Sequence, residues 1–160
     1  MASFLSTKVN MKWPLVIAAI LVVARIVFEQ MGASENVNNI FGVAWLYFLA
    51  PIYFAVQIAN SGVAKPFLEL VKSTAIFTAY TRLMIMPTYW LAYMNGWTAP
   101  RFSITQGGVV GEGMTPLKAY LLIPVRNALI WTVFATVVGA IIGGITLAIK
   151  RRGATAKAPA

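Results

Sequence analysis

The sequence predicts an all-α integral membrane protein, a bundle of four transmembrane helices with both termini cytoplasmic. Three observations carry that prediction. The composition is 59% hydrophobic and 11% charged, with a mean hydropathy of +0.76, far from an ordinary soluble domain. The apolar residues gather into four runs, each long enough to cross the roughly 30 Å of a bilayer's hydrocarbon core as a helix. The lysines and arginines cluster in segments that would share one side of the membrane.

The first span, 13–32, opens with WPLVIAAILVVARIVF and supplies about 20 residues, the length a helical crossing needs. Arg25 interrupts it near one end. The second span, 41–59, reads FGVAWLYFLAPIYFAVQIA, with Gln57 as its one strongly polar residue and Pro51 in the middle. The third, 73–93, holds Arg82 and Pro87. The amphipathic KPFLELVK before it predicts an interfacial first turn, with Pro66 at a favoured N-terminal position. The fourth apolar run, Ala119 to Ile149, is about 31 residues, or roughly 46 Å as a straight helix, more than a bilayer core demands. Its span is therefore placed at 125–149, with a start that is interfacial or bent at Pro124.

Orientation follows from the basic residues of the flanking segments. Lys8 and Lys12 precede the first span, and the external loop 33–40 has no base. Lys65 and Lys72 lie before the third span, the external loop 94–118 carries Arg101 and Lys118, and the chain ends KRRGATAKAPA. Every strong cluster falls on one side if both ends are cytoplasmic, so the formal net charge of +9 reads as a topology anchor rather than a nucleic-acid site. A multi-pass protein of a cell membrane, of the prokaryotic cytoplasmic type, is expected. The first apolar run is too long and too closely followed by Arg25 for a cleaved signal peptide. One transmembrane domain covers 1–153, and 154–160 is expected to be a short flexible cytoplasmic tail.

The residue inventory removes many chemistries. The chain has no histidine, cysteine or aspartate and four glutamates, so histidine-held haem, His/Cys zinc sites, thiolate clusters, disulfide exchange and a Ser-His-Asp triad are impossible within it. No enzyme, cofactor or metal is expected. Ser73 beside Lys72 does not make a serine-lysine pair, because adjacent residues point to different sides of a helix. GGVVGEG, 107–113, lacks the Gly-Lys-Ser/Thr and strand-to-helix context of a phosphate loop. It reads as a turn-rich surface loop, with a short hairpin around ITQGGVVG. Trp97, Pro100 and Phe102 are expected to lie back on the membrane surface. Tyr89, Trp90, Tyr93 and Trp97 suggest an interfacial aromatic belt.

The candidate site residues are the intramembrane arginines and one acid. Arg82 lies about ten residues, or roughly 15 Å, from both Lys72 and Tyr93, near the midplane. Insertion there costs about 2.5–3.5 kcal/mol on an isolated helix, so it should face protein or water. Arg25 and Arg126 lie toward the external side. Glu29 is four residues after Arg25 and can pair with it on one helical face. Arg82 has no obvious acid, and its expected partners are the hydroxyls of Thr78 and Thr81 or the carbonyl of Leu83 that Pro87 frees. Pro51 and Pro124 likewise free the carbonyls of Tyr47 and Tyr120. The arginines either hold helices in register or bind an anionic lipid or small anion, or a group on another subunit.

The fourth span carries Ala135, Gly139 and Gly143 at every fourth position, with Ala128, Thr132, Thr136, Ala140 and Gly144 as a second row. Such rows let helix backbones approach closely, whether within the chain, with a membrane-protein partner or in self-association. Two functional classes remain: an accessory or assembly subunit packing against other membrane subunits, and a small carrier or lipid-binding protein using Arg82, Arg25 and Arg126 with Glu29 as counter-charge. The lipid bilayer is a partner in either.

Overall fold

A computed structural model describes residues 9–155, with side chains to 152. The fold is 81% helix and forms no strand among the described residues. The elements are α1 (Lys12–Gln30), a short α2 (Glu35–Ile40), a 3-10 turn (Val43–Trp45) leading into α3 (Leu46–Asn60), α4 (Pro66–Asn95), two 3-10 turns (Pro100–Phe102 and Ile104–Gln106), and a π-helical turn (Lys118–Leu122) leading into α5 (Ile123–Thr155). Three stretches, Lys12–Gln30, Glu35–Asn60 and Lys118–Arg152, are long and apolar enough to cross a membrane. Residues 156–160, most of the expected cytoplasmic tail, lie outside the described residues.

The 30-residue α4 is long enough to be a span but less apolar than those three, because threonines, tyrosines and Arg82 interrupt its aliphatic residues. Its position accounts for this. Leu70, Ser73, Thr74, Phe77, Thr78, Thr81, Ile85, Thr88 and Ala92 are buried at the three- and four-residue spacing of one helical face, and α1, α3 and α5 all pack against α4. The hydroxyls of Thr78, Thr81 and Thr88 donate to the carbonyls of Thr74, Phe77 and Ile85, which satisfies polar atoms that hydrocarbon could not. Large apolar side chains remain exposed on all four long helices, with the most on α5, and α4 itself exposes Phe67, Leu68, Leu83, Leu91 and Met94.

The bundle has a basic end, where α1 and α4 begin and α3 and α5 finish. Its packing there depends on small residues. A Cβ on Gly139 would sit 2.6 Å from Thr74 Cγ2 and 2.7 Å from Pro51 Cγ, and one on Gly143 would sit 2.9 Å from both the Pro51 carbonyl oxygen and Leu70 Cδ1. The Ala135, Gly139 and Gly143 row is thus buried against α3 and α4 of the same chain. Thr136, Ala140 and Gly144 are half-buried beside it, with Phe67 facing Gly144. Gln57, the lone polar residue of its apolar run, accepts from the Asn10 backbone N–H at 2.9 Å and so ties the start of α1 to the end of α3.

At the opposite end, Pro124 has no N–H to give the carbonyl of Tyr120. The helix responds with the π-helical turn before Ile123, and the Trp90 indole N–H donates to that carbonyl at 2.8 Å. The segment between α4 and α5 is a packed loop rather than a surface hairpin. A single bridge of parallel sense joins Ser103 to Val110, and Gly108 folds so close to Phe102 that a Cβ would lie 2.1 Å from its carbonyl carbon. Phe102, expected on the membrane surface, is fully buried with Ala92, Val109 and Ala119. Its ring meets Tyr89 edge-on at 5.5 Å and Trp97 at 5.7 Å. The aromatic residues at the end of α4 therefore serve as the seat of this loop.

Candidate functional site

The loop's seat determines where Arg101 goes, and Arg101 completes a site that begins on α4. Arg82 directs its guanidinium between two rings, with Cζ 5.0 Å from the centre of Tyr47 on α3 and 4.8 Å from that of Trp131 on α5. A cation between two π faces is favourable by about 0.5–2 kcal/mol per contact, and the sandwich leaves mainly the guanidinium edges for other partners. Its Nε is buried without a hydrogen-bond partner, as is the Tyr47 hydroxyl. The hydroxyls of Thr78 and Thr81, expected beside it, bond their own helix backbone instead.

Arg25 and Glu29 pair as their four-residue spacing requires, with Nε donating to Oε1 at 2.9 Å. The same carboxylate also receives Arg101, whose Nε donates to Oε1 at 2.7 Å and whose Nη2 donates to Oε2 at 2.9 Å. This is the two-pronged geometry in which arginine binds carboxylates most strongly. The Glu29 side chain is only 2% exposed, against 21% for Arg25 and 19% for Arg101. Glu29 is a buried acid held by two cations that each keep an edge free. Beyond Nε of Arg25 and Nε and Nη2 of Arg101, no donor of either guanidinium is engaged by another residue among those described. Gly42 keeps room for the first of them, because a Cβ there would lie 3.2 Å from Arg25 Nη1.

These groups surround a cavity of about 290 Å³ lined by Val22, Arg25, Asn39, Val43, Ala44, Arg82, Ile85, Tyr89, Arg101 and Trp131. Three arginines line it, and among the described residues Glu29 is the one carboxylate that pairs with any of them. The space lies in the half of the bundle away from the basic end, where α1 and the turn before α3 stand apart from α4 and α5. Chemically it combines several forked donors, an excess of positive charge and aromatic walls that limit water, features that suit an oxyanion.

Arg82, Arg25 and Glu29 are thus brought together, whereas Arg126 is not. It is exposed, and its Nη2 donates to the neighbouring Asn127 Oδ1 at 3.4 Å. Asn127 in turn donates to the Gly107 carbonyl at 3.2 Å, which fastens the loop to α5. The sequence reading missed Arg101, Asn39, Tyr47 and Trp131 as site residues. Arg101 left a signal: it is a base on the side whose loops otherwise have few, and a carboxylate such as Glu29 can accept more bonds than Arg25 alone supplies. No protein family, characterised protein or solved structure matches the chain.

Proposed function

We propose that the chain is a non-catalytic, multi-pass membrane protein with four spans, α1, α3, α4 and α5, and cytoplasmic termini at the basic end, and that it binds an anionic group in the arginine cavity. One observation carries the reading: Arg25, Arg82 and Arg101 line one cavity, and among the described residues Glu29 is the only carboxylate that pairs with any of them. A helix register needs no space beside its arginines, and a buried cation left without a counter-ion is costly. A bound oxyanion would meet the free donor edges and offset the charge. A fourth span through α4 is supported by its length of 30 residues and by the apolar side chains, Leu83, Leu91 and Met94 among them, that it exposes beside the three more apolar helices.

The accessory-subunit reading expects sealed packing around Arg82 and an apolar face kept for a neighbour. The exposed apolar residues of α1 and α5 suit such a face, but lipid would suit them equally, and the cavity favours binding. The test is retention of an anion by detergent-purified protein, with inorganic phosphate and phosphatidylglycerol as probes. Arg82→Gln should weaken retention of at least one probe about tenfold or more, the scale of one charge-assisted contact. Retention of neither probe, or retention indifferent to both Arg82→Gln and Arg25→Gln, would remove the basis of the proposal.

A further inference from the structure

The cavity is larger and more apolar than a small anion needs, and its open side faces an apolar stripe. Its volume of about 290 Å³ is close to ten times the roughly 30 Å³ that a water occupies in the liquid. A small hydrated anion would fill it only with several waters, each needing two to four polar partners. The lining is amphipathic instead. It joins the polar Arg25, Arg82, Arg101 and Asn39 to the apolar Val22, Val43, Ala44 and Ile85 and the aromatic Tyr89 and Trp131.

Asn39, Ala44 and Trp131 line the cavity and are also exposed. From Ala44 the exposed face of α3 continues through Phe48 and Ile52 at four-residue steps, and across the seam α5 exposes Trp131 and Phe134, whose rings meet at 5.6 Å. α3 and α5 pack against one another along this seam. We infer that the occupant of the cavity is the anionic headgroup of a membrane amphiphile, a phosphate-bearing lipid. It enters sideways between Ala44 and Trp131, with its acyl chain laid along the α3–α5 seam. The inference rests on the proposed anion-binding function and adds the ligand's class and route. Charge complementarity selects the head: Arg101 and Arg25 reach it at the level of Glu29, and Arg82 supplies the deeper donor edge. The apolar stripe selects the tail.

Arg101 then has a specific role. It is carried by the packed loop, and its bidentate bond to Glu29 holds it over the cavity. It is a headgroup-binding residue supplied from the loop between α4 and α5, within the 3-10 turn Pro100–Phe102.

Native mass spectrometry of the full chain from dodecylmaltoside micelles tests the inference, with phosphatidylglycerol, phosphatidylcholine and inorganic phosphate as separate probes. One phosphatidylglycerol per chain should be retained, about tenfold or more in preference to phosphatidylcholine. Arg101→Gln should lower that retention by a similar factor. Ala44→Trp, which fills the side opening, should do the same. Ala44→Ile is the smaller variant should the tryptophan disturb folding, and it should give a weaker effect of the same sign. Arg126→Gln should change nothing. Equal retention of the two lipids, or phosphatidylglycerol retention unchanged in both Ala44 variants, would overturn the inference. Arg82-dependent binding of inorganic phosphate without lipid would overturn lateral entry and leave the anion-binding function standing. Binding of neither phosphatidylglycerol nor inorganic phosphate would end both.

Discussion

The two halves of the bundle achieve cohesion by opposite means. Toward the basic end, α5 approaches α3 and α4 so closely that Gly139 and Gly143 have no room for a Cβ, and the interface is made of aliphatic and hydroxyl groups in direct contact. In the other half the helices stand apart, and charge, aromatic rings and a folded loop fill part of the gap around a cavity of about 290 Å³. Close packing needs no ligand. A cluster with more guanidiniums than carboxylates stores unmet bonding capacity, so the first half reads as scaffold and the second as site.

That contrast can be broken by substitution. The largest effect is expected at Glu29, where Glu29→Gln would leave the Arg25 and Arg101 guanidiniums facing one another without their shared acid. Removing one member of a buried ion cluster costs about 3–5 kcal/mol, so chemical denaturation in detergent should show a loss of that order, with the loop between α4 and α5 released to proteolysis. An unchanged stability would mean that the pair is incidental to the fold. Next comes the scaffold half. Gly139→Leu would drive its side chain into Thr74 and Pro51, and overpacking of this kind costs about 1–3 kcal/mol, occasionally more. The expected signature is reduced stability with the remaining folded protein still binding its anion.

Arg82→Met should behave in the reverse manner. Losing a buried, unpartnered Nε relieves about 1–3 kcal/mol, and losing two cation–π contacts gives back about 0.5–2 kcal/mol each. Stability should therefore stay within about 1 kcal/mol of the parent while anion retention collapses. A parallel loss of both would make Arg82 a packing residue. The smallest effect is expected at Arg126→Gln, within about 0.5 kcal/mol in stability, because Arg126 is exposed and touches neither the cavity nor Glu29.

Much of the scaffold was legible in the sequence because its rules are local. Apolar runs of helical length locate α1, α3 and α5, the four-residue rows of Ala135, Gly139 and Gly143 mark a close approach, and Arg25 and Glu29 are neighbours on any α-helix. The site was legible only in part because it depends on chain separation. Arg101 reaches Glu29 across 72 positions, through a loop whose shape is set by Phe102 burial and the absence of a Cβ at Gly108. The aromatic sandwich of Arg82 requires the register of α3 and α5 against α4. No periodicity within one helix reports that register. Arg126 shows the converse error: depth along a span suggested a shared site, but its direction around α5 points it elsewhere.

What lies beside Arg82 decides whether this half of the bundle is a site. The most direct measurement is an experimental density map of the full chain extracted with its native lipids and held in a lipid nanodisc. Non-protein density is expected in the cavity, with an anionic head in contact with Arg25, Arg82 and Arg101. A side chain of another subunit in that space, or closure of the cavity around the three arginines, would contradict it.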